Sequence, residues 1–128
     1  MAVHEDPRPP RVLLGNLEPV VRLGMATVLR EDGVDILGED DRPAALVLLA
    51  GRLRPDAVVI DIAQQSSRSL CQRIRRASPE TTVVLWARDE EVMEVVAPGA
   101  SESRRVFAPD PEELCGAVLR SHVNRVER

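Results

Sequence analysis

Lysine and tyrosine are absent from this chain, and tryptophan and phenylalanine occur once each. All 17 basic residues are therefore arginine, a bias that points to GC-rich coding in a bacterial lineage. With a formal charge of −4 there is no basic excess, and hence no electrostatic footprint for binding a phosphate backbone. The local cluster Arg73, Arg75 and Arg76 reads as a solvated helix face. Only two cysteines occur, Cys71 and Cys115, each beside apolar neighbours, where a free thiol packs as a small hydrophobe; a structural disulfide is not expected. The longest apolar stretch, Ala44 to Ala50, is too short to span a bilayer, and the N-terminus lacks a charged-then-apolar signal pattern. A cytoplasmic protein without membrane contact is expected. His4 and His122 are too distant, and too poorly supported by other ligands, to imply a metal site. No glycine-rich phosphate loop, serine-nucleophile motif or cysteine–histidine pairing occurs, so no enzyme and no cofactor are expected.

What is present is the composition of one globular domain: 44% hydrophobic and 30% charged residues in 128. That length buries roughly two-thirds of the surface of the unfolded chain. Residues Met1 to Pro10 carry three prolines and three charges and read as a flexible arm, leaving 11–128 as a single domain. Strands are expected at Arg11-Val-Leu-Leu14, Val34 to Gly38, Ala57 to Asp61, Thr81 to Trp86 and Arg104 to Phe107, and helices over Pro19–Arg30, Arg42–Leu53, Ser67–Ala77 and Asp89–Ala97. A last helix starts after Asp110 as N-cap, with Pro111 at the first helical position and Glu113 at the third, and runs toward Val126. Ala57-Val-Val-Ile60 is the most uniformly apolar run, as a strand buried on both faces requires. Five alternations of strand and helix imply an α/β fold with a doubly wound parallel sheet and right-handed crossovers. Chemistry in such folds gathers at the carboxyl ends of the strands, which is where Asp61 stands.

Taken together, Arg11-Val-Leu-Leu14 followed by Pro19 and Val21-Arg-Leu-Gly24, Gly38-Glu39, Leu53-Arg-Pro-Asp-Ala-Val-Val-Ile-Asp61 and Pro111-Glu-Glu-Leu114 resemble a response-regulator receiver domain of the kind found in NarL/LuxR-type transcription factors. The resemblance covers about Arg11 to Val123. It implies a five-stranded (βα)5 flavodoxin-like sheet in the order 2-1-3-4-5, with Asp61 as phosphoacceptor. It also implies two acidic residues after the first strand that hold magnesium with the acceptor and with the carbonyl two positions beyond it, here Ala63. A Thr or Ser hydroxyl would follow the fourth strand, and a lysine the fifth.

At those positions this chain has Asn16, Leu17, Trp86 and Phe107. Asparagine offers one neutral oxygen and leucine none, so a hard cation that wants several oxygens is poorly served. A phosphoryl transfer also needs positive charge beyond the acceptor. No lysine exists to supply it. The expectation is a degenerate pseudo-receiver, in which Asp61 is vestigial and regulation proceeds without magnesium-dependent aspartyl phosphorylation. Leu17, Trp86 and Phe107 would form an apolar cluster that either plugs the old pocket or, with Asp61, Asn16 and Arg88, lines a small-molecule site. Burial under that cluster would raise the pKa of Asp61 unless Asn16 or backbone amides bond it. Glu39-Asp40-Asp41 reads as a solvated loop. Leu114, Cys115, Val118, Leu119, Val123 and Val126 give the last helix an apolar surface broad enough to meet a second subunit, so a homodimer is expected. The family would add a DNA-binding helix-turn-helix after this domain, making DNA a partner through a segment beyond this chain.

Overall fold

A computed structural model describes residues 8–61, 67–87, 92–107 and 110–126, the side chains of 111 and 123–126 excepted. Most of the expected arm thus lies outside the described residues. The element order is β1 (Arg11–Gly15), α1 (Pro19–Glu31), β2 (Asp35–Asp40), α2 (Pro43–Leu53), β3 (Ala57–Asp61), α3 (Ser67–Ala77), β4 (Thr82–Ala87), β5 (Val92–Val96), β6 (Arg104–Phe107) and α4 (Pro111–Val126). They form a six-stranded mixed sheet in the order β2-β1-β3-β4-β5-β6.

The expected five-stranded parallel sheet, order 2-1-3-4-5, is corrected at one place. Its first four strands pair in parallel as anticipated. The helix expected over Asp89–Ala97 is instead β5, antiparallel to β4, with β6 antiparallel to β5 in turn. Acidic residues ahead of Val92 and the Pro98-Gly99 stop had suggested a helix; Asp89, Glu90 and Glu91 themselves lie outside the described residues. The segment Val92-Met-Glu-Val-Val96 is rich in β-branched residues, and only four residues separate it from β4. A connection that short suits a hairpin between antiparallel strands, whereas a return to a parallel strand needs a crossover of a dozen or more residues. Burial on both sides of β5 then outweighs a helical start signal that is worth about 1 kcal/mol or less.

Strand alternation sends successive side chains to opposite faces. Val12, Leu14, Val59, Val84 and Met93 pack with Met25, Ala26 and Leu29 of α1 and with Leu114, Cys115 and Val118 of α4. Leu13, Val58, Ile60, Val83 and Leu85 pack with Leu46 and Ala50 of α2 and with Leu70, Cys71 and Ile74 of α3. Each fully buried Leu, Ile or Val contributes about 1.5–3 kcal/mol relative to exposure. Helix ends follow local signals. Pro19 and Pro43 sit at the first turns of α1 and α2, and Gly33 takes φ +83° just past α1, a conformation a Cβ would strain. At α4, the Asp110 carboxylate accepts the Glu113 N–H at 2.9 Å, the cap expected from sequence.

The amino-terminal end of the sheet is tied by a carboxylate the sequence did not single out. Asp56, buried just ahead of β3, accepts the Arg11 N–H at 2.8 Å, and its Oδ2 lies 3.0 Å from His122 Nδ1 on α4. One carboxylate thereby joins β1, β3 and the last helix. His122, read from sequence only as a non-ligand, holds α4 to the sheet.

Candidate functional site

Asp61 is the last residue of β3, and Trp86 is its partner on β4. Its backbone is held from both sides. The Asp61 N–H donates to Asn16 Oδ1 at 3.0 Å, and the Ser67 hydroxyl at the start of α3 donates to the Asp61 carbonyl. Asn16 therefore spends a lone pair of the one oxygen expected to face a cation on fixing β3 against the end of β1. The resemblance had implied a ligand there; the geometry makes it a strap.

Leu17 is 4% exposed and belongs to the core between the sheet and helices α1 and α4. Trp86 is half-buried and packs against that same cluster. Both thus belong to one cluster, on the face of the sheet to which the alternation of β3 assigns Asp61. Phe107 does not join them: it is 72% exposed at the end of edge strand β6, opposite Val92. Two strands now separate β6 from β3, one more than the five-stranded order allows. At about 4.8 Å per strand, this sets the end of β6 one full spacing farther from β3 than the expected order would. Arg88 and the Ala63 carbonyl lie outside the described residues.

The acidic run Glu39-Asp40-Asp41, expected as a loop, closes β2 and is occupied by arginines. Asp40 accepts the Arg42 N–H at 2.8 Å, its Nε at 3.1 Å and its Nη2 at 3.0 Å, and these hydrogen bonds hold its carboxyl below the usual range. Arg22 of α1 bonds Asp41 and lies 3.9 Å from Glu39. The loop reading is refined to a chelated strand end. Among the described residues no group of three metal-ligating side chains converges. Burial pushes the Cys71 thiol up, and burial together with a hydrogen bond to Asp32 pushes Cys115 up to about 12. Neither thiol has the depressed pKa that a nucleophile needs.

A second polar cluster went unnoticed in the sequence. Glu94 of β5 has a side chain only 3% exposed and accepts Arg68 Nη2 at 3.0 Å, Arg105 Nε at 3.3 Å and the Ser103 hydroxyl at 3.0 Å. Burial alone would raise its pKa; the Ser103 bond, the Arg68 charge and the Arg105 bond outweigh burial and hold it below the usual value. The available signal was one acidic residue within Val92-Met-Glu-Val-Val96. Read with period two as a strand, Glu94 falls on the face of Val92 and Val96; read as a helix, it falls on a solvated side.

The geometry can be set beside known proteins. No protein-family model matches the chain. Two curated relatives, both the transcriptional regulatory protein PdtaR from strains of Mycobacterium tuberculosis, are 39% identical over 54 residues, which is 42% of this chain. That matched stretch is 26% of the relatives' length. Among solved structures, the signal receiver domain of NarL from Mycobacterium tuberculosis superposes with a TM-score of 0.54 at 18% identity, covering 91% of this chain and 98% of that one. The fold is thus that of a receiver domain, with β5 standing where the sequence suggested a helix.

Proposed function

We propose that this chain is an atypical receiver module of a signalling or transcriptional regulator, acting without magnesium-dependent phosphorylation of Asp61 and without enzymatic activity of its own. The observation that carries the reading is the arrangement around Asp61. The neighbouring oxygen, Asn16 Oδ1, is bonded to the Asp61 backbone, and Leu17 is sealed in the core where a second carboxylate would be needed. The interposed β5 adds to it by carrying the end of β6 away from β3. Regulation then passes through contact, with a second copy or a partner, and control of transcription is taken from the likeness to PdtaR. A homodimer through α4, a DNA-binding segment outside this chain and a cytoplasmic setting belong to the same proposal. Leu114, Cys115 and Val118 of α4 are spent on the domain's own core, which leaves Leu119 as the partly exposed apolar residue among those described. No helix among the described residues is long and apolar enough to cross a membrane.

The alternative, an effector pocket lined by Leu17, Asp61, Trp86, Arg88 and Phe107, draws less support because Phe107 stands apart from Leu17 and Trp86. The test is incubation with magnesium and a small phosphodonor, followed by intact-mass measurement. An unchanged mass is expected; a stoichiometric gain of one phosphoryl group, abolished by Asp61→Asn, would reverse the proposal.

A further inference from the structure

Among the described residues, no helix covers β5 and β6 on the α2–α3 side of the sheet. Cross-strand pairing sets Glu94 opposite Arg105, on the same face as Leu85 and Val96. Between that face and α3 runs a groove of about 570 Å³, within the range that accommodates a small molecule. Leu85 and Val96 lie beneath it, 1% and 8% exposed, and Arg68, Arg75 and Arg105 stand around it.

The charges do not cancel. Glu94 is one carboxylate shared by two guanidiniums, whose side chains are 65% and 59% exposed, so both keep donors turned outward. Arg75 is held by backbone carbonyls, its Nη2 lying 2.6 Å from the Ala100 oxygen and 3.5 Å from that of Ala97. Among the described residues no carboxylate pairs with it, so its charge is fixed at the wall by carbonyls. Even counting Glu102, the lining keeps one positive charge in excess, in a chain that is negative overall. Glu94 acts as the post that orients two arginine forks, and planar forks of this kind match oxyanions in a bidentate manner.

We propose that this groove binds a small organic phosphate, a phosphate monoester whose dianionic head lies across Arg68, Arg75 and Arg105 and whose apolar body packs along the aliphatic stems of these arginines above Val96. The site lies on the opposite face of the sheet from Leu17 and Trp86, and stands whether or not Asp61 accepts a phosphoryl group. Occupancy would brace α3 against the β5–β6 hairpin, the part of the sheet with the least helical cover.

The probe is phenyl phosphate, titrated into the 15N-labelled full chain at low ionic strength, with inorganic phosphate and phenol as comparators. Saturable amide shifts are expected within residues 68–75 and 94–105, with phenyl phosphate at least about fivefold tighter than inorganic phosphate and phenol silent, since charge and apolar contact both contribute. Arg75→Gln, which leaves the Glu94 network intact, is expected to weaken binding about tenfold while leaving the remaining amide spectrum in place. Absence of saturable shifts in the wild-type chain, shifts that map elsewhere, equal affinity for inorganic and phenyl phosphate, or an Arg75→Gln variant that binds as tightly would each overturn the proposal. Because the wild-type titration decides by itself, a variant that failed to fold would not shield it.

Discussion

The four parallel strands and the β5–β6 hairpin belong to one sheet but are stabilised differently. On β1, β3 and β4, side chains alternate between two helix-covered faces, and the strands read as nearly continuous apolar runs. On β5 and β6, Met93 and Val106 meet the core on the α1–α4 face, while the other face carries Glu94 and Arg105 beside an open groove. The first region is sealed by burial that needs no particular partner. The second is closed by a charged network in which one carboxylate, two guanidiniums and a hydroxyl must all be in place. An apolar parallel core thus coexists with an antiparallel flank, and the chemistry of the flank is ionic.

The contrast can be broken at either end. The largest effect is expected from Ile60→Ala, which empties a wholly buried position in β3 and should cost about 2–5 kcal/mol in denaturant unfolding. An intermediate effect, read from how stability changes on acidification, is expected at Glu94. Its folded pKa lies below the ordinary glutamate value, so its stabilisation is present above about pH 4.3 and is lost as pH falls through the folded value. Urea midpoints measured down that range should fall more steeply for the wild-type chain than for Glu94→Gln; parallel curves would mean that the network contributes nothing. The smallest effect belongs to Phe107→Ala, within about 0.5 kcal/mol, because the ring is largely in water. A loss comparable to that of Ile60→Ala would place Phe107 in an apolar cluster after all and revive the rim pocket.

Much of the parallel half was legible in the chain. The span of α3, the start of α1, the span of β3 and the Asp110 cap of α4 agree with their local signals, since each depends on residues within one turn or one strand. Around Asp61, Asn16, Leu17 and Trp86 could be singled out because they fall next to recognisable strand ends. The strap from Asn16 to Asp61 spans 45 residues, and the clasp between Asp56 and His122 spans 66, so neither leaves a local trace. Glu94 was hidden by the misreading of its own segment. Val92 to Val96 satisfies helix and strand patterns about equally well over five residues, and acidic and proline punctuation tipped the reading toward a helix.

By itself, the order of apolar runs and breakers determined an α/β sheet whose first four strands run parallel, with an aspartate at the end of β3; the residue types beside that aspartate supplied the expectation on which the proposed function rests. Tertiary structure alone decided that the segment after β4 folds back as a strand and that the end of β6 is carried outward. It also decided that a groove with three arginines opens over Glu94. The physical reason is one of range. Helix caps and alternation are settled among neighbours in sequence, whereas a five-residue segment with no decisive propensity takes the conformation that the edge of an already formed sheet can pair and bury.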